Sequence, residues 1–179
     1  MNNLVLSLIA TVAVVAAIVL FVPRGQTPAS PAVDYTTIAA QAQGAEPDAL
    51  LTPKLPGGWT SNNAELRTKT PDGVDAWYIG LITPSKEYIG IMQGFNANDS
   101  WLATQVDRTL VSSTKTICGQ QWDVYNNRNS GQDNGNVDYA LATKAGASTV
   151  VVFGTAQDSE FATVTDALCD QLGALGAAK

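Results

Sequence analysis

The residues of this chain whose types could do chemistry are four tryptophans, two cysteines and a scatter of carboxylates, and there is no histidine. Without histidine the commonest general base, metal ligand and pH switch are all missing. No GxSxG turn is present, and no imidazole could activate a serine. Catalysis would have to rest on a carboxylate pair drawn from Asp75, Glu87, Asp123 and Asp138. Each of these falls at a strand start or on an outward alternation, where solvated acids are expected. Trp59, Trp77, Trp101 and Trp122 allow two readings: an aromatic binding surface for glycan or peptide, or core and edge packing.

Cys118 and Cys169 belong to no CxxC or zinc spacing. In an exported domain two cysteines make one disulfide. Cys118 alternates onto the face of Trp122 and Val124, and Cys169 sits at the edge of a helical stripe beside Leu168, so a Cys118–Cys169 bridge is expected. The alternative is two separate buried thiols. The Asn/Gly-rich loop Asn126–Asn136 is rich in oxygen atoms, but it lacks EF-hand spacing and contains Arg128. No metal and no cofactor are expected. Asn98-Asp99-Ser100 spells a glycosylation acceptor, but Asn98 or Asp99 is already explained as a helix cap.

From Trp59 the signals are those of strands: Trp59–Lys69, Asp75–Thr83 and Lys86–Phe95, with turns at Thr70–Gly73 and Thr83–Lys86. Gly80 and Gly90 interrupt the second and third, which calls for a ring lying over each; Trp77 and Tyr88 are the near candidates. Residues 99–111 have helical spacing, with Trp101, Leu102, Val106 and Leu110 on one side. Thr116–Asn127 alternates as one strand, and two more strands pair across Gly146. A helix from Asp158 to about Leu172 buries Phe161, Val164, Leu168 and Leu172. The fold class is α+β: two halves of three strands plus a helix, giving one or two antiparallel sheets with both helices on one face.

Ahead of this domain, Leu4–Val22 is nineteen residues without a charge, and a helix of that length spans roughly 28 Å. The run is longer than a signal-peptide core, no basic residue precedes it, and no cysteine stands directly after it, which excludes a lipidated, cleaved lipoprotein. Residues 1–22 therefore read as an uncleaved transmembrane anchor; the alternative is cleavage at Ala29–Ala32, a weak pattern that Pro28 and Pro31 interrupt. Residues 23–56 read as a Pro/Ala-rich linker with a short helix at Asp34–Gln43, and 57–179 as the domain. Arg24, on the far side of the helix, favours a cytoplasmic domain; the stalk-like linker favours an extracytoplasmic one, which we take. The net charge of −6 lies beyond the anchor and excludes nucleic acid as a partner.

The order of motifs is distinctive: Gly58-Trp59, Trp77-Tyr78-Ile79-Gly80 with Thr83-Pro84, Tyr88-Ile89-Gly90 with Gln93, Trp101, Gly119 with Trp122, and Val152-Phe153-Gly154-Thr155-Ala156. Behind one N-terminal apolar helix, this pattern resembles the actinobacterial family called domain of unknown function 4245. The resemblance implies a membrane-tethered extracytoplasmic module with no established activity, and it transfers no site residue. Members of that family have basic residues before the helix, which this sequence lacks; that fits an encoded start upstream of Met1. The expected function is a non-catalytic binding or scaffolding module of the cell envelope, held in the membrane and contacting an envelope protein or wall component. The alternative is an envelope enzyme using a carboxylate pair.

Overall fold

A computed structural model describes residues 2–21, 32–128, 131 and 135–177, with side chains before Ala32 described for residues 5–16. It divides into two units, Met1–Pro31 and Ala32–Lys179. The first contains helix α1 (Asn2–Phe21), whose described side chains are all exposed. No helix among the described residues is long and apolar enough to cross a membrane.

The second unit begins earlier than the sequence suggests. Residues 23–31 of the expected linker lie outside the described residues, but 32–56 form part of the domain. Helix α2 (Tyr35–Ala42) starts where its cap predicts: Asp34 Oδ1 accepts from the backbone N–H of Thr36 at 3.1 Å and of Thr37 at 3.2 Å. A 3₁₀ turn, Gln43–Ala45, follows. The extended run after it carries Leu50 and Leu51 into the core. Proline density suggested a solvated stalk there. Instead the prolines hold an extended segment whose backbone bonds to the domain's interior. Leu51 N donates to Gln93 Oε1 at 3.0 Å, and Leu51 O accepts from Trp77 Nε1 at 2.8 Å.

Seven strands form one antiparallel sheet: β1 (Thr60–Arg67), β2 (Ala76–Ile82), β3 (Tyr88–Phe95), β4 (Ser113–Ile117), β5 (Gln120–Asn126), β6 (Tyr139–Ala145) and β7 (Ser148–Gly154). Their order is β1-β2-β3-β7-β6-β5-β4. The β3–β7 pairing, with Ile91 opposite Val152, fuses the two halves into a single sheet. The second half has four strands rather than three. The expected strand Thr116–Asn127 breaks at Cys118-Gly119, which both adopt left-handed φ, +53° and +74°. Two consecutive residues of that kind make a two-residue hairpin turn. Cysteine is an uncommon occupant of its first position, and the alternation of residue types continues across it without a turn signal.

Helices lie on both faces, not one. Helix α4 (Asp158–Ala177) and α2 cover the face of Trp77, Ile79, Ile91 and Val152. Its buried stripe is Phe161, Val164, Leu168, Leu172 and Leu175. Fully burying side chains of this size contributes roughly 1.5–3 kcal/mol each. Helix α3 (Asp99–Gln105) lies on the opposite face, where Trp101 and Val106 pack with Met92, Ala142 and Val151. Gly94 makes this possible: a Cβ there would come within 2.6 Å of the Trp101 ring. The helix stops short of residue 111 because Asp107 and Arg108 turn left-handed, leaving Leu110 exposed.

Candidate functional site

The four tryptophans do not assemble a surface. Trp77 and Trp122 are fully buried under the α4 face, Trp101 is buried under α3 against Gly94, and Trp59 is half-buried against the core. A sheet covered on both faces leaves inward positions nowhere to open, so the expected aromatic binding surface is corrected to packing. Trp122 Nε1 has no hydrogen-bond partner among the described residues. The aromatic rings that do reach solvent are different ones. Tyr78, Tyr88 and Phe153 occupy the part of the second face beyond α3, with the hydroxyls of Tyr78 and Tyr88 in close contact. The Arg67 guanidinium lies 4.5 Å above the Tyr78 ring. These rings roof the paired glycines: Tyr78 lies beside Gly80, and Tyr88 and Phe153 over Gly90. Trp77, named for that role, points to the other face.

An apolar concave site lies at the other end of the sheet, between β4, β6 and α4. Tyr139 opens β6, and its buried ring stands edge-on to Phe161 of α4, centroids 4.9 Å apart. Lys115, on β4, donates from Nζ to the Tyr139 hydroxyl at 2.9 Å. Arg128 places its guanidinium 4.6 Å over the same ring, and donates to Asp158 at 2.6 Å and to Ala156 O at 2.8 Å. One aromatic ring thus meets two cations, an arrangement that its negative π-face stabilises. The Arg128–Asp158 pair is largely solvated and by itself contributes little; its effect is to fix the guanidinium in place. Ile117, Leu141 and Ala162 line a groove of about 200 Å³, mostly apolar, with Thr165 and Asp166 on its α4 rim. An apolar hollow with a few convergent polar groups is what a binding site requires.

The disulfide closes one end of this region. Cys118 and Cys169 are bonded, with Cα atoms 5.7 Å apart. Cys118 sits exposed in the hairpin turn, not on a strand face with Trp122 and Val124. The bridge therefore ties the β4–β5 turn to α4 across the outside of the core. Asp166 lies within 4.8 Å of the sulfur atoms. Because the sulfurs bind each other, that carboxylate is the one free donor of the three.

The carboxylates suggested for catalysis are dispersed. Asp75 caps Lys69 N at 2.8 Å, and Glu87 accepts from Thr155 at 2.7 Å at the opposite end of the β2–β3 hairpin. Asp123 lies within β5, and Asp138 precedes β6. Much of the Asn/Gly loop, including residues 129–130 and 132–134, lies outside the described residues, and the metal question raised for it goes with them. Lys115, Tyr139, Phe161 and Asp166 were not singled out as a site from the sequence. The signal available was that Lys115 and Ile117 share a strand face; the partners come from elements that only the fold brings together.

No curated protein and no solved structure matches the chain. Residues 1–168 match the family described as protein of unknown function (DUF4245), and the chain belongs to that family.

Proposed function

We propose that this protein is a membrane-tethered, extracytoplasmic module of the cell envelope that binds a partner protein or wall component and catalyses no reaction. The observation that carries the binding reading is the Tyr139 groove, an apolar hollow rimmed by Lys115, Asp158 and Asp166, with Arg128 held over the Tyr139 ring by its pair with Asp158. It offers recognition chemistry: Asp75, Glu87, Asp123 and Asp138 are not among its lining residues, and of the two acids on its rim Asp158 is engaged by Arg128. The tether reading rests on the uncharged run Leu4–Val22 and on the exposure of Val5, Leu6, Leu8, Ile9 and Val12, while no helix among the described residues is by itself long and apolar enough to cross a membrane. The described side chains of this helix, residues 5–16, are exposed, and a surface so apolar calls for an apolar surrounding. The outward orientation is supported by the Cys118–Cys169 bridge, since disulfides persist in oxidising compartments.

Carbonate extraction should leave the full-mass chain in the membrane fraction, and protease added to intact spheroplasts should remove the domain. A soluble species lacking the first segment, or protection until lysis, would overturn the tether or the orientation respectively. Ala162→Arg, which fills the groove mouth from an exposed helical position, should abolish partner association and leave the melting temperature within a few degrees.

A further inference from the structure

The two edges of the sheet are finished differently. At β1 the strand carries an irregularity between Ser61 and Asn63, Ser61 O accepts from Val33 N at 2.8 Å, and α2 packs alongside. These are ordinary ways to blunt an edge. At the other edge, β4 pairs with β5 in unbroken register. Among the described residues no backbone hydrogen bond reaches its outer side, and Ser113–Thr116 are exposed. An edge of that kind presents main-chain donors and acceptors ready to pair with another chain. Lysine often guards such edges, but Lys115, the one charged residue of β4, is drawn to the Tyr139 hydroxyl on the groove side. The strand is also fixed: the disulfide pins its turn to α4. It is therefore both open and held in position.

Beside this edge runs the Tyr139 groove, walled by Lys115 and Ile117 of β4 itself. Its charges are not balanced along its length. Arg128 is paired with Asp158 and Lys115 is bonded to Tyr139. Asp166, near the disulfide, is exposed, and its carboxylate has no hydrogen-bond or ion-pair partner among the described residues. Resting on the reading of this groove as a binding site, we infer that β4 accepts an extended segment of a partner polypeptide as an eighth strand of the seven-stranded sheet, seating an apolar side chain against Tyr139 and Phe161 and a basic residue at Asp166. Strand addition takes affinity from main-chain bonds and selectivity from the adjoining pocket. The chain's net charge of −6 favours the same basic partner.

The test is selection of a random dodecapeptide phage library on the full chain in detergent micelles. Enriched peptides should alternate apolar and polar residues and carry Lys or Arg. Asp166→Lys should weaken them about tenfold, the scale of one lost charge pair. Thr116→Pro should abolish binding with the disulfide and near-ultraviolet dichroism intact. Hydrogen exchange at Ser113–Ile117 should slow when a selected peptide is added to the unsubstituted chain, which keeps the test valid if the proline variant misfolds. No enrichment, or peptides that bind Asp166→Lys as tightly and leave β4 exchange unchanged, overturns the inference. Peptides lost on Ala162→Arg but indifferent to β4 would remove strand pairing while leaving the groove as the binding site. Enrichment by purified wall polysaccharide in place of peptide would overturn it in favour of a glycan.

Discussion

Gln93, fully buried at the middle of β3, accepts a hydrogen bond at 3.0 Å from the backbone of Leu51, 42 residues earlier in the chain. The same amide donates to Ala49 O at 3.0 Å and to Ser148 Oγ at 3.1 Å, and Ser148 in turn donates to Asp48 at 2.8 Å. One side chain thus fastens the segment before the sheet onto two central strands. Gln93→Leu would leave buried donors and acceptors unmatched and should cost about 2–4 kcal/mol, at roughly 1–3 kcal/mol for each group left unsatisfied. Urea unfolding measures this. A loss under about 1 kcal/mol would mean that water replaces the amide. A fragment of residues 57–179 should unfold with low cooperativity, and one of 32–179 as a single transition.

The disulfide spans 51 residues. In the chain-entropy account a loop of that size stabilises by about 4 kcal/mol through the unfolded state. Reduction should lower the urea midpoint accordingly, with the largest gain in hydrogen exchange at β4, an edge strand paired on one side. Uniform loosening across the sheet would contradict the view that the bridge acts as a local staple.

Asp34 has its carboxyl lowered to about 2 by hydrogen bonds from the hydroxyls of Thr36 and Thr37 and from their backbone N–H groups. The folded value lies below the ordinary one of 3.8, so the cap contributes in full above pH 3.8 and is lost as pH falls through 2. Amide shifts of Thr36 and Thr37 should titrate in that window, and Asp34→Asn should remove the titration. A midpoint near 3.8 would show that the cap bonds are not held in solution.

Tyr88 has its ionisation pushed up by burial first and by the Tyr78 hydroxyl second. A raised folded value means that its contribution is present below the ordinary 10.0 and lost as pH climbs above it. Alkaline titration at the tyrosinate absorbance should show a delayed fraction of the five tyrosines, released only with unfolding, and Tyr88→Phe should shrink it. Five equivalent tyrosines would refute the Tyr78–Tyr88 contact.

Local pattern and long-range assembly were not equally readable. The strands around Trp77, Tyr88 and Val151 and the stripe of α4 follow from alternation and period, which neighbouring residues determine. The turn at Cys118-Gly119 was hidden because its first residue is not one that favours left-handed φ. The role of residues 32–56 was hidden for another reason: their prolines describe conformation, while their burial depends on a glutamine 42 positions away. The Tyr139 site suffers most. Lys115, Arg128, Tyr139 and Phe161 come from two strands, a loop and a helix, and no spacing in the chain relates them. The absence of histidine was legible, and it directed attention away from catalysis without indicating what is bound.

Whether a partner is held at the Tyr139 groove can be read out by placing a photo-crosslinking residue at Ala162 in cells, with Ser100 on α3 as the control, both positions being exposed. A discrete adduct should form from Ala162 and disappear in a Tyr139→Ala background, and none should form from Ser100. Adducts from Ser100 with none from Ala162 would place the binding face on the opposite side of the sheet and contradict binding at the groove.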